Sequence, residues 1–292
     1  MMEKTKIPRN HFAYILRHIA KGDCIFFLGA GAGVSKTTQR TLPTGKALVR
    51  DLVSDLPITN AEHLPLPTVS HYYEIVNDRP SLDEFLRSKL NSRDLRTPET
   101  YKAIVDIIEH QRDSKPLSLV ITTNYDLFLE RELDSRNIRH KVFIQDKSER
   151  IDEFWRPEQD TEVTLYKFHG CLDKVESIVI TDEDYIEFLC GIFGESKIPY
   201  YFKNSVQSKS LLFIGYSLLD WDFRVFFKSV EEQRKSNKKK HFAVLLKPTE
   251  LSDDVWLACK DFWLKKEVHI IEYDALTFLN EMKRELEEVA HE

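Results

Sequence analysis

The stretch Leu117-Ser118-Leu119-Val120-Ile121-Thr122-Thr123-Asn124-Tyr125-Asp126 constrains the fold more than any other part of the chain. Its apolar half is too short for a helix and too apolar for an edge strand, so it predicts a central strand of a parallel sheet, buried on both faces. It ends abruptly in Thr122, Thr123, Asn124 and Asp126 around one tyrosine. Ligands of open parallel sheets bind just outside the carboxyl ends of the strands, which is where these side chains would sit.

Four other apolar runs end in the same way. Cys24 to Leu28 runs into Gly29-Ala30-Gly31-Ala32-Gly33-Val34-Ser35, and Val163 to Phe168 ends on His169-Gly170. Leu211 to Ile214 gives way to Gly215-Tyr216-Ser217, and the last strand, from Val268, ends on Tyr273-Asp274. Five such ends predict one crevice across an α/β, Rossmann-like, doubly wound parallel sheet. Ile138 to Ile144, Ser177 to Thr181 and His241 to Leu246 also read as strands.

Helical spacing marks residues 10–20, stopped by Lys21-Gly22-Asp23, and about 46–56 after Leu42-Pro43-Thr44-Gly45. It marks Tyr125 to Leu133, with Asp126 in its first turn, and a capped helix from Asp182 to Leu189. Further helices are expected over 197–207, from about Asp220 to Glu232, between the last two strands and at the charged end of the chain. Residues 57–115 show helical patterns around Ser70 to Val76, Ser81 to Leu90 and Pro98 to His110 and no strand, and read as a helical insertion within a single domain of 1–292.

A length of 292 residues is ample for a sizeable core. The formal charge of -6 offers no global attraction to nucleic acid, which argues against direct binding of it. The basic stretch Arg234 to Lys240 reads as a solvated loop or as a contact to nucleic acid or an acidic partner. The first residues lack an apolar signal core, and no window approaches the roughly 20 apolar residues of a membrane span, so a cytoplasmic location is expected. Cys24, Cys171, Cys190 and Cys259 form no Cys-x-x-Cys pair, which argues against a structural zinc site and a disulfide framework. Cys24 and Cys190, in apolar surroundings, read as small buried residues.

Residue by residue, each polar end has two readings. The glycine run departs from the Gly-x-Gly-x-x-Gly fingerprint; it is either a tight strand-to-helix turn or a set of amides and a helix N-terminus that hold a pyrophosphate. His169 is either a satisfied surface histidine or a group that exchanges a proton near neutrality, given an ordinary pKa of about 6.5. Asn124 and Asp126 suit a turn, while Asn124 also offers an uncharged donor and acceptor for a sugar hydroxyl or a water.

Taken in order, these segments resemble the sirtuin family, and within it the bacterial branch that hydrolyses NAD in anti-phage defence. The resemblance rests on Gly29-Ala30-Gly31 with Ser35, Leu42 to Gly45, Thr122 to Asp126, His169-Gly170 and Gly215 to Asp220, and spans about Lys21 to Tyr273. It implies that Asn124 and His169 are catalytic and that Asp126 lies on the nicotinamide side. It also implies that Gly29, Ala30, Gly31, Ser35, Thr123, Gly215 and Ser217 serve NAD binding, with Tyr273 and Asp274 bordering the adenine. Either Gly29 to Gly31 or Gly31 to Gly33 aligns with the family's Gly-Ala-Gly. The zinc module with two Cys-x-x-Cys pairs and the Gly-Ile-Pro-Asp-Phe-Arg stretch of protein-deacylating sirtuins are both missing from this sequence, and the helical insertion stands in place of the metal module.

The expected function is therefore NAD hydrolysis to ADP-ribose and nicotinamide, with NAD as substrate and no metal. The alternatives are an NAD-dependent protein deacylase and a non-catalytic module that senses NAD or ADP-ribose. Because an unrestrained NAD hydrolase is toxic, control by self-assembly into a homo-oligomer or by another polypeptide is expected. The resemblance implies a HerA-like hexameric ATPase as that partner.

Overall fold

A computed structural model describes residues 9–33, 42–58, 60–111, 119–145, 163–193, 199–218, 224–228 and 239–290. Its centre is a seven-stranded sheet built from β1 (Cys24–Leu28), β2 (Leu119–Thr122), β3 (His140–Ile144), β4 (Val163–Lys167), β5 (Ser210–Ile214), β6 (His241–Val244) and β7 (Val268–Ile271). The strand order is β3-β4-β2-β1-β5-β6-β7, and every neighbouring pair is parallel. The chain first lays strands on one side of β1, then crosses back to lay β5, β6 and β7 on the other. The reversal falls between β1 and β5, which makes that gap the switch point of a doubly wound sheet.

The continuous apolar runs are needed because both faces of the sheet are covered. Phe26, Leu28, Val120, Leu212 and Ile214 face one cluster, filled by Ile15 and Ile19 of helix Arg9–Ala20, Ile104 and Ile108 of helix Glu99–His110, and Phe278 and Met282 of helix Ala275–Ala290. Ile25, Phe27, Ile121 and Phe213 face the other, with Phe188 of helix Asp182–Phe193, Phe202 of helix Tyr200–Ser208 and Trp263 of helix Asp253–Leu264. Burying one such aromatic side chain contributes about 1.5 to 3 kcal/mol, so β1, buried along its whole length, anchors both layers.

A third apolar cluster lies apart from the sheet. It joins Leu48 and Leu52 of helix Gly45–Ser54, Val69 and Tyr73 of helix Leu66–Asn77 and Leu82 and Leu86 of helix Arg79–Lys89 to Val175, Ile178 and Ile180. The stretch 57–115 thus serves two environments among its described residues: its first two helices build this cluster, while Glu99–His110 packs on the sheet.

Several expectations change. Ser177 to Thr181 is not a strand: a short 3-10 turn, Val175–Ser177, leads into an extended segment. Its amides are bonded elsewhere, Val179 N–H to His169 O at 3.0 Å and Ile180 and Thr181 N–H to Asp184 Oδ2 at 3.0 and 3.1 Å, so no ladder can form. The helix expected from Tyr125 begins at Phe128, because Asp126 Oδ1 accepts from Phe128 N–H and holds the preceding residues in a turn. Cys190 is exposed, since it shares the outer face of its helix with Glu183, Ile186 and Glu187. Of the helix expected over 220–232 only 224–228 is described, and it is helical. Of the basic stretch, 234–238 lies outside the described residues.

Arg79 fastens the third cluster to helix Asp182–Phe193, which packs on the sheet. Its Nε donates to Asp83, its Nη1 to both Asp184 oxygens at 3.0 and 2.9 Å, and its Nη2 to Ile178 O at 2.9 Å. Asp184 is almost fully buried. Removing one member of such a pair strands the other, so Arg79→Ala is expected to cost about 2 to 3 kcal/mol in denaturant unfolding. Lys46→Ala, which breaks a water-exposed pair with Glu250, is expected to leave the midpoint unchanged.

Candidate functional site

Strand register sets the site. Leu28 pairs with Thr122 and with Ile214, and Thr122 pairs with Lys167, so these four residues lie at one level across β1, β2, β4 and β5. Asn124 and His169 each follow that level by two residues on adjacent strands. Tyr125 ties their two turns together: its backbone O accepts from Leu172 N–H at 3.1 Å and its hydroxyl donates to Val179 O at 2.8 Å. Its ring packs against the third cluster.

At the switch point the two strand ends touch backbone to backbone. Gly29 N–H donates to Ile214 O at 3.1 Å and Gly31 N–H to Gly215 O at 2.9 Å. Gly215 has φ +63°, and a Cβ there would lie 2.2 Å from Ala32 N; a Cβ on Gly31 would lie 2.8 Å from Gly215 O. Only glycine fits this approach. Ala30 and Gly31 remain exposed above it within the 3-10 turn Ala30–Gly33, while Gly33 lies beside Tyr101 and Asp126. Of the two registers left open by the sequence, Gly29 and Gly31 are the pair that meets Gly215.

Asn124 is buried and oriented. Its Nδ2 donates to Gly29 O at 2.9 Å and to the Tyr101 hydroxyl at 2.8 Å, and its N–H donates to Thr122 Oγ1 at 3.0 Å. The carbonyl of Gly29 accepts only, so the amide orientation follows from the network. Tyr101 in turn donates to Asp126 Oδ2 at 3.2 Å. Burial, then the nearby Asp126, pushes the Tyr101 phenol well above its ordinary pKa, so it holds its proton. Thr123 N–H donates to Leu28 O at 3.1 Å, continuing the ladder past β2.

Below this level lies a charge that sequence reasoning missed. Lys167, at the end of β4, is 2% exposed; its Nζ donates to Asp126 O and pairs with Glu130 at 2.8 Å. Burial alone would lower its pKa, but Glu130 and Asp126 outweigh it and raise it, so the ammonium stays charged. A lysine inside an otherwise apolar strand is itself the signal that could have found it. Tyr101 gave no such signal, because its helical spacing marks it as core.

His169 is 5% exposed and set among rings: Phe168 stacked at 5.7 Å, Tyr185 edge-on at 5.4 Å and Phe188 edge-on at 5.1 Å. Burial lowers its pKa to about 3, so it is neutral at physiological pH, in place of the near-neutral titration read from the sequence. Gly170 has φ +89°, and a Cβ there would lie 2.3 Å from Ser177 O.

The remaining sequence candidates spread outward. Ser217 is exposed at the end of β5, next to Leu218 with φ +51°. Tyr273 and Asp274 follow β7, three strands from β1, or about 14 Å. There Tyr273 donates to Glu281 at 2.7 Å, and Asp274 Oδ1 accepts from Thr277 N–H and hydroxyl, capping the last helix. Ser35 lies outside the described residues. Among the described residues, no three His, Cys, Asp or Glu side chains gather as a metal cluster, and no helix is long and apolar enough to cross a membrane.

Fold and site together define an α/β protein in which the ends of β1, β2 and β5 meet at the switch point of a parallel sheet. The model of the SIR2-like domain family matches residues 118–271, over half the chain, and the protein belongs to that family. It is similar to the NAD(+) hydrolase ThsA of Enterococcus faecium, 23% identical over 234 residues that cover 78% of this chain and 44% of the relative. It is also similar to the NAD(+) hydrolase ThsA of Acinetobacter baumannii (strain 532279), at 24% over 76% of this chain and 42% of the relative. The chain spans under half the length of these relatives. A solved Sir2 enzyme chain superposes with a TM-score of 0.47 at 14% identity, covering 97% of this chain and 100% of its own.

The His169 environment fixes a pH dependence of stability. An unfolded histidine titrates near 6.5 and the folded one near 3, so between these values the unfolded chain binds the extra proton. The contribution is intact above about pH 6.5 and is lost progressively as pH falls toward 3. In denaturant titrations from pH 7 to 4.5, His169→Phe is expected to show a shallower loss of stability than the wild type.

Proposed function

We propose that this chain is an NAD glycohydrolase that cleaves the bond between nicotinamide and ribose and uses water as acceptor, giving nicotinamide and ADP-ribose. The observation that carries the reading is that Asn124 and a neutral His169 each lie two residues past the Thr122–Lys167 pair, on the turns that follow neighbouring strands, with Asn124 bonded to the glycine turn where only backbone approaches. The similarity to proteins named NAD(+) hydrolase supports the same substrate.

In this reading the exposed backbone of Ala30 and Gly31, with Gly215 and Ser217, takes the phosphates and ribose, and Asp126 lies toward the nicotinamide. The glycosidic bond breaks with its electron pair going to the nicotinamide nitrogen, which leaves as neutral nicotinamide from an oxocarbenium-like sugar. Asn124 orients the attacking water or a ribose hydroxyl, and His169 accepts the proton that is released.

Removal of a positioned acid–base group costs about a hundredfold to ten-thousandfold in rate. Asn124→Ala and His169→Ala are each expected to cut nicotinamide release from NAD to that extent while the variants still melt cooperatively. Undiminished release in both would sink the reading. The assay is run without any acylated peptide, so release also distinguishes a hydrolase from a deacylase, and saturable NAD binding with no product would mark a sensor.

The same reading places the protein in the cytoplasm, where it depletes NAD in anti-phage defence as a homo-oligomer under the control of a HerA-like hexameric ATPase. Light scattering of the chain alone and mixed with such an ATPase is expected to show self-association and co-assembly. A fully active monomer that ignores the ATPase would remove this part of the proposal.

A further inference from the structure

Helix Glu99–His110 turns a tyrosine into the polar heart of the site. Tyr101 is fully buried, and its ring packs against Phe128 at 6.0 Å between centroids, as a core aromatic does. A phenylalanine would meet that packing need equally well. What the hydroxyl adds is a pair of hydrogen bonds: it accepts from Asn124 Nδ2 at 2.8 Å and donates to Asp126 Oδ2 at 3.2 Å. The phenol proton is committed to Asp126, so toward Asn124 the oxygen only accepts.

Both hydrogens of the Asn124 amide are thereby spoken for, one by Gly29 O at 2.9 Å and one by Tyr101. Among the described residues Asn124 Oδ1 accepts no hydrogen bond. The two ends of the amide are therefore unlike: the nitrogen is used within the protein, and the oxygen is the open acceptor. A rotation that exchanged them would set Oδ1 against the Gly29 carbonyl and leave two acceptors facing each other.

We propose that Tyr101 is a positioning residue of the crevice, whose hydroxyl fixes the Asn124 amide so that only its carbonyl oxygen meets the ligand, which must offer a hydroxyl or water donor there. The inference deepens the NAD-hydrolase reading and rests on it for the identity of that donor. Tyr101 itself touches no reacting atom; it acts through Asn124 and, by its second bond, keeps Asp126 and Asn124 in fixed relation.

Tyr101→Phe deletes one oxygen and keeps the ring in its packing. Its thermal midpoint is expected to stay within a few degrees of the wild type, while kcat for nicotinamide release falls by about 30-fold, within the range for a misplaced catalytic group. In an Asn124→Ala background the same replacement is expected to change the rate by less than about twofold, because a residue that acts only through Asn124 has nothing left to position. A Tyr101→Phe enzyme within about twofold of the wild type, or an equal further loss in the Asn124→Ala background, would overturn the proposal.

The failure of the NAD-hydrolase reading is a separate result: the wild type would release no nicotinamide. In that case nitrogen-resolved NMR of the Asn124 side-chain amide, assigned by its loss in Asn124→Ala, decides. Faster exchange of its hydrogens in Tyr101→Phe supports the fixed amide, and unchanged exchange overturns it.

Discussion

The close approach of Gly31 and Gly215 is the contact on which the rest of the site depends. β1 and β5 are neighbours in the sheet but distant in sequence, and they part at the switch point, where a doubly wound sheet opens. A side chain on either residue would hold the strand ends apart. With glycine at both, the Gly31 N–H bonds to Gly215 O, and the turn of residues 30–33 is pinned over the end of β5. Gly29 O then stands where Asn124 can donate to it, so the orientation of the amide begins with a backbone contact one strand away.

Beneath that turn the polar groups form a continuous chain rather than a set of isolated residues. It runs from Gly29 through Asn124 and Tyr101 to Asp126, and from the Asp126 carbonyl through Lys167 to Glu130. Such a chain is costly to bury unless every member is satisfied, and here the ammonium of Lys167 lies between two carboxylate-bearing residues that keep it charged. His169 is held by the opposite means. Aromatic rings and burial keep it neutral, so the two proposed catalytic groups rest on different physics, one on hydrogen bonding and one on desolvation.

Much of this was legible in the sequence, because a parallel sheet covered on both faces demands continuous apolar strands and a ligand crevice demands polar strand ends. Those two demands coincide at Leu28-Gly29, at Thr122 to Asn124 and at Phe168-His169. Where apolarity served a different purpose, the reading failed. Ile178-Val179-Ile180 has the composition of a strand, yet Ile178 and Ile180 fill the third cluster while the amides are bonded to His169 and Asp184. Apolar content reports burial, not pairing. Tyr101 was hidden for a related reason: its partners are 23 and 25 residues away, and helical periodicity sees only its ring. The neutral state of His169 likewise depends on Tyr185 and Phe188, which only the folded chain brings to it.

The segment from Ile178 to Thr181 carries a further meaning. One side of it is held by Arg79 and Asp184, the other by the His169 carbonyl and the Tyr125 hydroxyl, so the helices of the third cluster and the two turns that bear the proposed catalytic residues share a single strip of main chain. Neither neighbour can drift without its counterpart. In related sequences, changes at position 79 should be accompanied by changes at 184, and the lengths of the helix that bears Arg79 and of the loop from 170 to 181 should be inherited as a unit.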